Sequence, residues 1–111
     1  MRIVVRVRYW SLDKKDLQNL VRALPEIVYD ALNAARMVPS NFTYEDVHVY
    51  VEEGSKLDIH GLTHPCSASI CVEKFGRAFV WPTLVREKIR AEVSRRWPHI
   101  AIMIETSRDG S

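Results

Sequence analysis

Along the first nine residues, Ile3, Val5, Val7 and Tyr9 alternate with Arg2, Val4, Arg6 and Arg8, the period-2 pattern of a strand. A different period follows. Leu17, Leu20, Val21, Leu24, Ile27, Val28, Ala31, Leu32 and Ala35 recur at helical spacing and form one apolar stripe. Asp13 is suited to cap this helix, and Asp16, three residues on, favours the positive end of its dipole. Pro25 interrupts the stripe without shifting its phase, so the pattern predicts a helix that continues through a proline costing about 3 kcal/mol. Residues 37–44, with Pro39, Ser40 and Asn41, read as a loop. Period 2 then returns, with Val47, Val49 and Val51 alternating with His48, Tyr50 and Glu52.

The same program is written a second time. Ala68, Ile70 and Val72 mark a third strand. Leu84, Val85, Ile89 and Val93 give a helix with a narrower stripe, and Ile100, Ile102 and Ile104 mark a fourth strand. Trp81 precedes Pro82, which suits a helix's first turn, and Pro98 bars the helix from running further. Between the copies, residues 54–65 form a polar connection with Gly54, Gly61 and Pro65. At about a dozen residues it exceeds a tight hairpin, a length common in functional loops. The order β-α-β-β-α-β predicts an α+β domain: one four-stranded sheet with both helices on one face. The two units should be related by a pseudo-twofold, with parallel strands and right-handed crossovers within each. The chain reads as a single domain, with a first unit at 1–53, a connection at 54–65, a second unit at 66–105 and a tail at 106–111.

Composition narrows the class without naming a function. The chain has 111 residues, 47% hydrophobic and 27% charged, as expected of an ordinary globular domain. A net charge of +2 is too weak to argue for nucleic acid by itself. No apolar run approaches the roughly 20 residues needed to span a bilayer. The arginines alternating through the first strand break up any signal-peptide core. Cys66 and Cys71, on or beside one strand, would lie roughly 16 Å apart, too far for a disulfide. A reducing cytoplasm fits this usage.

The stretch Glu45-Asp46-Val47-His48-Val49-Tyr50-Val51-Glu52-Glu53 resembles the second strand of the tautomerase superfamily, a V-x-V core ending in an acidic residue. Pro65-Cys66 before the third strand, and Phe75-Gly76-Arg77 after it, resemble the branch similar to macrophage migration inhibitory factor. The likeness extends over nearly the whole chain, though each motif is short. It implies a homotrimer whose sheets close into a barrel, and keto–enol tautomerase (isomerase) chemistry on small 2-oxo or 2-hydroxy carboxylates, with no cofactor. Active members carry a proline directly after the initiator methionine, and its amine is the general base. Here that place holds Arg2. A large second residue leaves Met1 in place, and a primary α-amine, with a reference pKa near ~7.7–8.0, is a base of a different kind set one residue out of register. The resemblance therefore implies absent or weakened activity. Met1 becomes the candidate catalytic amine, with Arg2 and Arg36 as candidates to hold a carboxylate. His48 stands where single-unit relatives similar to 4-oxalocrotonate tautomerase have a substrate-binding arginine. Phe75 joins these as a substrate-binding candidate.

If the odd positions of the first two strands face the helices, the opposite face carries Arg2, Arg6, Arg8, His48, Tyr50 and Glu52. The second unit adds Ser69, Cys71, Glu73, His99, Ala101, Met103 and Glu105. Arginines and glutamates on one face can pair across strands, and that reading outweighs an anion pocket with Arg2 at its mouth. Asp58, His60, His64 and Cys66 are zinc-competent ligand types, yet no matched Cys pair accompanies them, so a polar loop is the simpler reading and no metal is expected. Cys71 reads as a packed thiol, since the sequence supplies no base beside it. On the second helix, Lys88–Glu92 and Glu92–Arg96 fall at i,i+4 spacing, as on a solvated, salt-bridged face. The alternative frame for the same element order is a ferredoxin-like RNA- or protein-binding module without catalysis. Such domains stack bases on sheet aromatics; here the face offers only Tyr50, which weighs against nucleic acid.

Overall fold

The structure, a computed structural model, describes residues 2–54, 67–74 and 82–106, without the side chains of Lys74, Glu105 and Thr106. Strand β1 (Ile3–Tyr9) is followed by helix α1 (Lys14–Ala34), strand β2 (Val47–Glu53), strand β3 (Ala68–Lys74), helix α2 (Thr83–Arg96) and strand β4 (Ile102–Thr106). The sheet order is β2-β1-β3-β4. Strand β1 runs parallel to β2 and antiparallel to β3, and β3 runs parallel to β4. Exchanging the two β-α-β units leaves this order unchanged, which is the predicted pseudo-twofold, with its axis between β1 and β3. In a ferredoxin-like split β-α-β unit another strand lies between the two that a helix joins. Here β1 and β2 are neighbours, so the ferredoxin-like frame does not apply.

Burial explains why the alternation produces this layer. Ile3, Val5 and Val7 on β1, with Ala68, Ile70 and Val72 on β3, point to one face and are buried. Leu20, Leu24, Ile27, Val28, Ala31 and Leu32 of α1 meet them, as do Val85, Ile89 and Val93 of α2. Burying one such aliphatic side chain contributes about 1.5–3 kcal/mol, and both helices draw on the same face. Helix α1 starts as expected: the Asp13 carboxylate accepts from the Lys15 N–H at 3.1 Å. It runs through Pro25, and Leu24 and Ile27 are buried on either side of the proline. The segment after α1 is held down by Phe42, buried and stacked on Tyr29 with ring centroids 5.8 Å apart.

Several local expectations need correction. Glu45 and Asp46 lie in a 3-10 turn, Tyr44–Asp46, that precedes β2 instead of belonging to it. Thr43 caps this turn: its hydroxyl accepts from the Glu45 N–H at 3.3 Å, and its own N–H donates to the Asp46 carboxylate at 2.9 Å. Such reciprocal caps favour a turn over extended backbone. Pro82 stands at the N-cap of α2, one place before the first turn. Leu84 is exposed, because the buried line of α2 runs strictly at i, i+4 and i+8 through Val85, Ile89 and Val93. Strand β4 begins at Ile102, so His99 and Ala101 precede it. The His99 imidazole instead meets the Asp16 carboxylate of α1 at 3.1 Å.

Candidate functional site

Alternation on the strands leaves a second sheet face, the one turned away from the helices. In register across β2, β1 and β3, Val4 lies between His48 and Glu73, Arg6 between Tyr50 and Cys71, and Arg8 between Glu52 and Ser69. Met103 of β4 adjoins Ser69. Val4 and Ser69 are buried, and the long side chains beside them project outward: Arg6 and Tyr50 are exposed.

Two arginines on this face are paired with carboxylates of the same chain. Arg6 Nε donates to Glu73 Oε1 at 2.9 Å, a diagonal contact passing Val4. Hydrogen bonding to Glu73, and then its charge, hold the Arg6 guanidinium above its ordinary value. The same guanidinium lies 5.8 Å from the centroid of the Tyr50 ring, a cation–π contact worth about 0.5–1 kcal/mol at an exposed site. Arg8 Nη2 donates to Glu52 Oε1 at 3.2 Å, between direct register partners. Arg6 and Arg8 thus spend their guanidinium groups on carboxylates of this chain. The expected cross-strand pairing is present, and its partners follow from the register.

The described candidates Arg2, Arg36 and His48 lie toward one end of the fold. Parallel pairing of β1 and β2 places both strand starts together, and α1, running back between them, ends at the same side. Antiparallel pairing brings the end of β3 there as well, followed by the start of α2. Arg2 is exposed and leads into β1. His48 is half-buried on the sheet face beside Val4, which by alternation is the side of Arg2. Arg36 follows the C-cap of α1 at this end, in the helix layer. Met1 and Phe75 lie outside the described residues. So does the whole cluster of Asp58, His60, His64 and Cys66.

Arg36 shows a property that its sequence context did not reveal. It has φ of 55°, in the left-handed region, just past the C-cap Ala35. Its N–H donates to the Asn33 carbonyl at 3.0 Å, and the Met37 N–H donates to the Leu32 carbonyl at 3.0 Å. This is a Schellman ending, whose left-handed position glycine usually fills. An arginine there carries a conformational cost of about 1–2 kcal/mol that glycine would avoid.

Several charged side chains of α2 are paired within the helix. On α2, Glu92 accepts from Arg95 and from Arg96, the latter at 2.6 Å. These hydrogen bonds, from Arg95 first, lower the Glu92 carboxyl to about 2. Glu87 lies 3.6 Å from Arg90. The expected Glu92–Arg96 pair is present. Lys88, Glu92 and Arg95 line a groove of about 370 Å³ between the helices, with Ile27, Asp30 and Ala31 opposite. A more apolar groove of about 520 Å³ lies between α1 and β2, formed by Leu17, Val21 and Val51 with Gln18 and Arg22. Neither groove includes Arg2, Arg36 or His48. Cys71 is not in a disulfide. No described helix is long and apolar enough to cross a membrane.

No known family profile matches this sequence, and no curated protein matches it. Solved structures do. One described as "F6 fused 4-OT wild type asymmetric trimer" is similar with a TM-score of 0.54 at 13% identity, over 93% of this chain and 85% of that one. Another, "R7 fused 4-OT wild type asymmetric trimer", is similar with a TM-score of 0.53 at 17% identity, over the same shares of the two chains. At these identities the likeness is one of fold. The chain therefore shares the α+β fold of these fused 4-OT structures, with two β-α-β units in one polypeptide.

Proposed function

We propose that this tautomerase-fold chain is a superfamily member whose proline-based keto–enol chemistry is absent or much weakened, and that it retains at most a pocket for small carboxylates at the end where β1 begins. One observation carries the reading: Arg2, exposed, leads into β1 where active tautomerases place their proline. In the proposed pocket Arg2 and Arg36 hold a carboxylate, His48 and Phe75 line the site, and any residual base is the α-amine of Met1. Amine-catalysed proton transfer between carbon and oxygen needs no cofactor, so none is assigned. If activity survives, it is that of an isomerase on a small 2-oxo or 2-hydroxy carboxylate.

Three copies would close the paired-charge sheet faces into a barrel; both similar structures are described as trimers. The Arg6–Glu73 and Arg8–Glu52 pairs support this, because charges already matched within one chain cost less to enclose. Light scattering coupled to size exclusion should give three times the mass of one chain; a monomer at micromolar concentration would remove the barrel. A cytoplasmic protein goes with this assignment.

The activity test is a phenylpyruvate or hydroxyphenylpyruvate tautomerisation assay. General-base assistance is worth about 10²–10⁴-fold, so turnover should fall below that of proline-bearing relatives by a factor in this range. Turnover equal to theirs, abolished by blocking the N-terminal amine, would overturn the proposal. A variant with Met1 removed and Arg2→Pro tests it from the other side: gained activity supports a retained pocket, and none shows that the pocket has changed as well.

A further inference from the structure

We draw no further inference here: the strongest candidate, the apolar groove between α1 and β2 lined by Leu17, Val21 and Val51, is a surface for which nothing in the structure shows what covers it.

Discussion

Replacing Arg36 by glycine separates the strain of the α1 ending from any role of the arginine side chain. With φ of 55°, Arg36 occupies a conformation that costs an L-residue about 1–2 kcal/mol. Glycine removes that cost but adds freedom to the unfolded chain, worth about 0.5–1 kcal/mol in the opposite direction. The net expectation is a gain of about 0.5–1 kcal/mol. In a domain of about this size such a gain raises Tm by about 2–6 °C. Arg36→Ala keeps the Cβ, and so keeps the strain; being exposed, it should change stability by less than about 0.5 kcal/mol. Asparagine, which tolerates the left-handed region better than alanine, should fall between the two. Thermal melts followed by circular dichroism should therefore rank glycine above asparagine above alanine. A glycine variant melting at or below the alanine variant would refute the strain argument. Under the proposed function, glycine and alanine weaken carboxylate binding alike, so only the glycine variant gains stability while losing ligand. Equal binding by wild type and both variants would remove Arg36 from the site.

Other perturbations probe the remaining contacts. Glu92, lowered to about 2 from an ordinary 4.5, contributes stability that is present above pH 4.5 and lost as pH falls toward 2. Glu92→Gln should therefore cost a few tenths of a kcal/mol in urea denaturation at neutral pH, and the difference from wild type should vanish near pH 2; a constant difference contradicts the assignment. A double-mutant cycle should give a larger coupling for Arg6 with Glu73, at 2.9 Å and with Glu73 largely covered, than for the more exposed Arg8–Glu52 pair at 3.2 Å. Equal or reversed couplings would show that the diagonal pair is not the stronger. A Cβ on Gly54 would lie 2.5 Å from Cε2 and 2.8 Å from Cδ1 of Trp10, so Gly54→Ala should cost about 1–3 kcal/mol by displacing the indole. In a Trp10→Ala background the same change should cost much less, and an unchanged cost would disprove the clash.

The fold was legible because each layer depends on periodicity alone. Ile3, Val5 and Val7 announce a buried face whichever strand they pair with, and the α1 stripe keeps its phase across Pro25. What resisted reading was set by geometry between distant positions. Alternation put Arg6 and Glu73 on one face, but only the β1–β3 register, with Glu73 opposite Val4, makes them diagonal neighbours. His99 obeyed the alternation of a strand that begins three residues later, and so paired with Asp16 instead. The pattern Thr43-x-x-Asp46 was a readable signal for the turn before β2. A short carboxylate at the third position takes the role that glutamate or glutamine usually plays in such caps.

The candidate site was less legible than the fold for a physical reason. A sheet face needs only the right class of side chain at every second position, so many sequences satisfy it, and two structures at 13% and 17% identity share it. The proposed amine chemistry needs one particular nitrogen in one environment, which no periodicity reports. The residues around that end do not compensate by pattern. His48 lies half-buried on the sheet face, and Arg36 follows the helix end as a left-handed residue that no periodicity announces. If Arg36 holds a carboxylate, its cap strain is the stability given up for a side chain that glycine cannot supply. The same strain is without purpose if nothing binds there. Melting and binding measured together on Arg36→Gly distinguish these cases, because each reads a different consequence of the same substitution.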